Sequence, residues 1–356
     1  MICALDASYS LGREPSGVAL YCSRIIQALA QAAPDDRFLL CYRANRFFRA
    51  LRSPLPATNC SRRLMEEFAP FLPPRDAALF HGLNQRLPRA SFRRAVTTFH
   101  DLFVISGDYS TPEFRKRFTE LARDAARRSD HILAVSRFTA GQIAMYLSYP
   151  LDRISVVHHG VDSIPEVSRH DRDDFLRKHN LEEPFLLHVG AIQQRKNITR
   201  LVEAFERLPE RYRLVLAGAA GYGAREILDR AGKSPARSRI RMLGYRTRHE
   251  LNHLYRTAAV LAFPSLEEGF GLPVLEAMSA GLPVVTSHGS ALKEVAGDAA
   301  VLVDPLDADG LCAALQSALE DSPVRERLIA AGLRRAAAFS WPEAARKTLQ
   351  VYRGLG

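Results

Sequence analysis

The sequence predicts an α/β protein of two domains, each built on a parallel sheet. Three observations carry that prediction. The chain has 356 residues, more than one hydrophobic core usually organises. Short apolar runs of strand length alternate with helix-patterned stretches from the first residue onward. A polar stretch, residues 162–183, separates one such series from a second and reads as a linker with a short helix.

In the first series, strands are expected at Met1 to Leu5, Phe38 to Tyr42, Ala78 to His81, Ala95 to Phe99, His131 to Val135 and Ile154 to Val157. Each is a brief apolar run that stops at polar or glycine residues, the signature of a strand buried on both faces. Helices fit Val18 to Ala32, Pro112 to Arg128 and Arg137 to Leu147, where apolar residues recur at helical spacing. The second series places strands at Phe185 to Val189, Arg213 to Ala217, Ile240 to Leu243, Ala258 to Phe263, Val284 to Thr286 and Ala300 to Val303. Near the end, Ser340 can cap a helix that begins at Trp341 and Pro342. That helix either closes the second domain or crosses back to the first.

Composition narrows the function classes. A hydrophobic content of 47% with 25% charged residues is ordinary for a folded soluble protein. No apolar run approaches the eighteen or so residues that span a bilayer, and Met1-Ile-Cys-Ala-Leu opens a strand without a basic leader, so a cytoplasmic location is expected. Cys3, Cys22, Cys41, Cys60 and Cys312 form no Cys-x-x-Cys pair and leave one over, which points to neither a disulfide framework nor a zinc site. The net charge of +10 is uneven: from Arg37 to Arg94 there are 12 Arg against only Glu66, Glu67 and Asp76. Within it, Arg43, Arg46, Arg49 and Arg52 are interleaved with Phe47, Phe48 and Leu51, as in a helix lying on a membrane surface. An anionic membrane surface is the preferred partner for this region, and a solvated basic face is the plainer alternative, since Arg outnumbers Lys 43 to 6 throughout. No nucleic-acid module is recognisable, so nucleic acid is not expected.

The chemistry concentrates in residues 264–285, where Glu268 and Glu276 flank Gly269-Phe270-Gly271-Leu272-Pro273. The apolar run before Glu268 is a strand and the stretch after Pro273 is helical, so Glu268 belongs at a strand end and Glu276 on the following helix. A helix start exposes backbone N–H groups and partial positive charge, so Gly269, Gly271 and Leu272 can bring amides against a phosphate. Pro273 suits the first turn because it lacks an N–H. A carboxylate has no use against phosphate, so Glu268 should face a sugar and Glu276 should accept hydrogen bonds from hydroxyls. Strand Phe185 to Val189 ends at Gly190, and Arg195-Lys196 follow at the mouth of the same domain, where a diphosphate could lie. In the first domain, Pro15-Ser16-Gly17-Val18 opens a helix after the first strand, and His100-Asp101 end another. The stretch Gly218 to Gly223 has the wrong spacing for a dinucleotide fingerprint and reads as a loop.

Together these motifs resemble glycosyltransferase family four, retaining enzymes of GT-B architecture. The resemblance rests on Gly190 with Arg195-Lys196-Asn197, Gly244-Tyr245 and Pro264-Ser265 through Glu268 to Glu276. It extends in order over Gly17, His100-Asp101, Val135-Ser136, His159-Gly160-Val161-Asp162 and Phe339-Ser340-Trp341. It implies two Rossmann-like domains facing a cleft: residues 1–165 for the acceptor, joined by 339–356 crossing back, and 166–338 for the nucleotide sugar. By resemblance, Arg195 and Lys196 neutralise the leaving diphosphate and Glu276 takes the ribose hydroxyls. Glu268, Gly269, Phe270, Gly271 and Leu272 hold the donor sugar and phosphate, and the backbone at Tyr245 meets the base. His100 and Asp101 serve near the reacting sugar, Gly17 lies near the donor phosphate, and closure of the cleft belongs to catalysis. No metal and no separate cofactor are implied. One departure is Ser16-Gly17 where a Gly-Gly pair is usual, and another is His159 where Asn is common.

The leading expectation is therefore a retaining transferase for a hexose, best guessed as mannose from GDP-mannose with a UDP-sugar as the other donor class. Its acceptor would be a glycan or a polyprenyl-diphosphate-linked glycan at the inner face of the cytoplasmic membrane. The alternatives are a UDP-N-acetylglucosamine epimerase on the same fold and a non-catalytic carbohydrate- or membrane-binding relative.

Overall fold

The computed structural model describes residues 1–11, 16–65 and 76–356. Pro15 and, within the basic region, Glu66, Glu67 and the rest of residues 66–75 lie outside the described residues. The chain divides into two compact units, Met1–Gly160 with Phe339–Gly356, and Val161–Ala338.

The first unit contains a seven-stranded sheet: β1 (Ile2–Asp6), β2 (Arg37–Tyr42), β3 (Cys60–Leu64), β4 (Leu79–Gly82), β5 (Ala95–Phe99), β6 (His131–Ala134) and β7 (Ile154–Val156). Its order is β3-β2-β1-β4-β5-β6-β7, with every neighbour parallel. Ala4 of β1 therefore lies between Leu39 and Phe80. The chain winds outward in one direction from β1 to β3 and in the other from β4 to β7, so the winding reverses between β1 and β4. Parallel strands covered by helices on both faces must be apolar on both, which is why these read as unbroken hydrophobic runs. The exception is β3, Cys-Ser-Arg-Arg-Leu, which the sequence pattern does not reveal. It sits at the sheet edge, where only alternate side chains need burial and arginines can point to water.

The second unit repeats the plan with β8 (Phe185–Val189), β9 (Arg213–Ala217), β10 (Ile240–Gly244), β11 (Val260–Phe263), β12 (Val284–Ser287) and β13 (Val301–Val303). The order is β10-β9-β8-β11-β12-β13, again all parallel. Leu187 of β8 lies between Val215 and Leu261, and the winding reverses between β8 and β11. The polar stretch after residue 162 carries the helix Arg169–His179, capped by Ser168. Strand β11 is shorter than its apolar run because the Ala258 N–H still bonds Leu254 O of the preceding helix, at 3.0 Å.

The last helix, Trp341–Leu355, belongs to the first unit. Ser340 caps it by accepting from Glu343 N, and Pro342 occupies its first turn. Trp341, Leu349 and Tyr352 pack into one core with Tyr21, Ile25 and Leu29 of the helix Gly17–Ala32. Gly160 permits the crossing, since a Cβ there would stand 2.3 Å from Trp341 N. A buried polar chain locks the helix to the sheet. Tyr352 OH meets His81 Nδ1 at 2.5 Å, His81 Nε2 meets Thr98 Oγ1 at 2.8 Å, and Tyr21 OH meets the same Thr98 oxygen at 2.9 Å.

Three histidines of this unit are buried and neutral. Burial, and then the neighbouring His100, push His81 down to about 3. Burial lowers His100 to about 4, against the opposing pull of the Leu83 carbonyl. Burial also takes His159 well below its ordinary range. The unfolded chain binds these protons near pH 6.5 and the folded unit refuses them, so their contribution is complete above pH 6.5 and is lost as pH falls toward 4. Trp341 is the sole tryptophan and lies in this core. Its fluorescence in urea titrations should therefore report stability falling by about 1.4 kcal/mol per pH unit for each histidine between pH 6.5 and 4.5. An unchanged midpoint across that range would show that the three histidines are not held neutral.

Candidate active site

In doubly wound sheets, ligands gather beyond the carboxyl ends of the strands, where the winding reverses. In the second unit that point lies past β8 and β11, and the sequence sends its most polar loops there. After β8, Gly190 adopts φ +148°, open to glycine, and a Cβ there would lie 3.3 Å from Lys196 Cε. The chain then turns through Gln194–Lys196 and reverses at Asn197, φ +57°. Asn197 donates to Pro264 O at 3.1 Å and to Pro305 O, while Leu266 N donates to Arg195 O at 2.9 Å. These bonds lace the loop after β8 to the loops after β11 and β13.

Within that lacing, Arg195, Lys196 and Glu268 meet. All three are buried, with about a tenth of each side chain exposed. Arg195 Nη1 lies 2.8 Å from Glu268 Oε2 and also donates to Glu267 O at 2.6 Å. Lys196 Nζ donates to Glu268 Oε1 and stands 4.8 Å from the centre of the Phe263 ring. Burial would raise the Glu268 carboxyl, but the charges of Arg195 and Lys196 outweigh it and hold the group at about 2. Arg195 and Lys196 thus both face Glu268 in a low-dielectric setting. Two buried cations beyond the strand ends suit an anionic ligand.

Directly after Glu268, Gly269 and Phe270 are buried, and Gly271 takes φ +104° at the cap of the helix Leu272–Ser279. The left-handed conformation favours glycine here, and a Cβ would also press on the end of the Leu292 side chain, 2.7 Å from Cδ2. Glu276 lies on that helix and is 6% exposed. Its carboxylate pairs with Arg248 and accepts from Tyr255 OH at 2.8 Å. Tyr245 follows Gly244, φ +69°, at the end of β10 and is half-buried.

His188 was missed by the sequence reading. It is wholly buried on β8, donates Nδ1–H to Ala262 O at 3.0 Å and stacks on Phe263 with ring centres 5.6 Å apart. Its Nε2 would lie 3.8 Å from a Cβ on Gly190, and burial lowers its pKa to about 4. Arg248 and Tyr255 were missed too. A histidine inside an apolar run and two residues on an amphipathic helix give no signal until the strand order brings them to Lys196 and Glu276.

In the first unit, Gly17 begins the helix Gly17–Ala32, whose Ser16 cap accepts from Ala19 N at 3.3 Å. Ser16 borders a cavity of about 270 Å³ with Arg43 and Arg46. His100 is buried just past β5 and donates Nε2–H to Leu83 O at 2.9 Å; burial, against the pull of that carbonyl, keeps the imidazole uncharged. Gln85 holds both members of the pair, accepting from His100 N at 3.0 Å and donating to Asp101 O at 3.3 Å. Among the described residues, no three His, Cys, Asp or Glu side chains gather as metal ligands. No helix among them is long and apolar enough to cross a membrane.

Two doubly wound parallel units, with the terminal helix returned to the first, define the GT-B class of glycosyltransferase. The fold matches sucrose-phosphate synthase from Thermosynechococcus elongatus, with a TM-score of 0.77, 20% identity, and coverage of 99% of this chain and 98% of that one. It also matches HepE from Anabaena, solved in complex with UDP and glucose, with a TM-score of 0.77, 17% identity and 99% coverage of both chains. Residues 15–163 match the model of Glycosyltransferase Family 4, and residues 171–335 match that of Glycosyl transferases group 1. The chain is 36% identical over 283 residues to O-antigen chain mannosyltransferase B of Escherichia coli, covering 77% of this chain and 74% of that enzyme. It is 29% identical to the serotype-specific mannosyltransferase WbdA of Escherichia coli over 73% of this chain but only 33% of that longer enzyme. The chain belongs to the family 4 glycosyltransferases.

The buried cluster makes a direct demand on stability. Glu268→Ala leaves Arg195 and Lys196 buried without their carboxylate, and should lower unfolding free energy by about 3 to 5 kcal/mol. Urea titration followed by circular dichroism measures this, and a change under about 1 kcal/mol would show that the cluster is solvated.

Proposed function

We propose that this chain is a retaining hexosyltransferase that moves mannose from GDP-mannose to a glycan or polyprenyl-diphosphate-linked acceptor during cell-surface polysaccharide synthesis. The observation that carries the reading is the Arg195–Lys196–Glu268 cluster at the reversal point between β8 and β11, beside the glycine-started helix at Leu272. The likeness to O-antigen chain mannosyltransferase B supports the choice of sugar and of pathway class.

On this reading the donor diphosphate lies against Arg195 and Lys196 and the amides of Gly269 to Leu272. As it arrives, Glu268 turns from the cations toward the transferred sugar. Glu276 takes the ribose hydroxyls, and the backbone at Tyr245 meets the base. The acceptor hydroxyl attacks the anomeric carbon on the face that the diphosphate leaves. The bond to the leaving phosphate oxygen breaks, and that oxygen takes the acceptor's proton. Fixed cations and a helix start stabilise the departing charge without a metal ion. The first unit binds the acceptor, with His100 and Asp101 serving there. His100 acts as a neutral hydrogen-bonding group, consistent with the burial that depresses its pKa.

The same unit would bring the enzyme to an anionic membrane surface. On the helix Ala44–Arg52, Phe48 is 78% and Leu51 54% exposed, with Arg49 and Arg52 beside them and no acidic residue on the helix. Exposed apolar side chains flanked by arginine suit the interface of an anionic bilayer.

Calorimetry with a panel of GDP- and UDP-sugars should find one donor bound and transferred, and failure to bind or turn over any of them would overturn the reading. Lys196→Ala should lower turnover by about a hundredfold or more, because it removes one charge partner of the transition state. Unchanged turnover would take Lys196 out of the mechanism. Replacing both Phe48 and Leu51 with Ser should reduce co-sedimentation with phosphatidylglycerol vesicles by about tenfold or more, leaving donor binding intact. Equal co-sedimentation would remove this helix from the membrane contact.

A further inference from the structure

Glu276 is gripped from two sides by one helix. Arg248 opens the helix Arg248–Thr257 and pairs with Oε1, while Tyr255 donates its hydroxyl to Oε2 at 2.8 Å. Seven residues apart, they stand on one helix face two turns from each other. The helix start is itself fixed by a capping box, in which Thr247 Oγ1 accepts from Glu250 N and Glu250 accepts from Thr247 N at 2.8 Å. Tyr255 is wholly buried, and burial together with the Glu276 charge raises its phenol pKa well above the ordinary value, so it stays a donor.

Counting lone pairs gives this grip a purpose. A carboxylate offers about four acceptor positions, two on each oxygen. The grip uses one position on Oε1 and one on Oε2, and so leaves one on each oxygen of a carboxylate that can no longer rotate. Two parallel acceptors at fixed orientation match the two hydroxyl donors of a vicinal cis-diol. A pair serving only to neutralise Glu276 would need Arg248 alone, and would not need a buried tyrosine on the other oxygen.

We propose that Arg248 and Tyr255 are positioning residues that fix Glu276 as a reader of the ribose diol, and that they thereby set the preference for ribonucleotide over deoxyribonucleotide donors. The proposal rests on the assignment of Glu276 to ribose under the proposed function. Neither residue needs to touch the ligand. Their effect passes through the carboxylate they hold.

The test is calorimetry on the full-length protein with whichever of GDP and UDP binds the wild type, alongside its 2′,3′-dideoxy counterpart. The wild type should prefer the ribose form by at least about tenfold, the value of one hydrogen bond to a charged group. Tyr255→Phe and Arg248→Gln should each cut that preference about fivefold by weakening the ribose form alone. Arg248→Lys should restore part of it. Affinity for the dideoxy form should change less than about twofold, which also shows that each variant folds. Two outcomes overturn the proposal by itself. In the first, both forms weaken equally in the variants. In the second, the preference is intact in Arg248→Gln and Tyr255→Phe while Glu276→Gln abolishes it. If the wild type shows no preference, or Glu276→Gln keeps it, the ribose assignment falls and takes the proposal with it.

Discussion

The second unit is organised around one constraint: Glu268 must be ionised where there is almost no water. Burial opposes the charge, and only Arg195 and Lys196 together hold it. To deliver both cations, the loop after β8 has to run beside the loop after β11, and the bonds from Asn197 to Pro264 and from Leu266 to Arg195 keep it there. Those loops can meet because β8 and β11 are neighbours in the sheet although 72 residues separate Lys196 from Glu268. The winding reversal, the glycine at 190 and the left-handed Asn197 all serve this placement. Replacing such a cluster with well-packed apolar side chains is often neutral or stabilising, since buried ion groups rarely offset their desolvation. Its presence past the strand ends where doubly wound sheets gather ligands argues for retention by function.

The first unit spends its buried polarity differently. His81, His100 and His159 are buried and uncharged, and His81 joins Tyr352 of the last helix to Thr98 on β5 and through it to Tyr21. The network orders side chains that an apolar core would leave free to repack, and it ties the end of the chain to its first sheet. Neutral imidazoles here and ionised groups in the second unit follow from the partners on hand. A histidine beside hydroxyls and carbonyls gains less by protonation than burial removes, whereas a carboxylate between two cations gains more than burial removes.

Glu268 and Glu276, eight residues apart, would look in sequence like an acid and a base. Their surroundings separate them. Glu268 balances two cations in the strand-end loop, while Glu276 is held by one arginine and one tyrosine on a neighbouring helix. Two carboxylates on either side of a single turn therefore carry different partners and, on the proposed reading, meet different parts of one ligand.

Much of this was legible in the sequence, because local physics writes directly into it. Apolar runs bounded by glycine and polar residues mark strands buried on both faces, Ser16 and Ser340 mark helix starts, and Gly271-Leu272-Pro273 marks a turn into a helix. What tertiary structure alone decided is which of these local pieces face one another. The pairing of Lys196 with Glu268, the tyrosine on Glu276, the bond from His188 to Ala262 O and the junction of His81 with Tyr352 span between 21 and 271 residues of chain. Strand order sets those meetings. The edge strand β3 shows the same limit from the other side, since a strand with one free edge and one wet face need not carry the apolar signal that reveals the rest. Sequence determined the elements and the chemistry available at their ends. The strand order, fixed by burying both faces of each sheet, determined which of those chemistries act together.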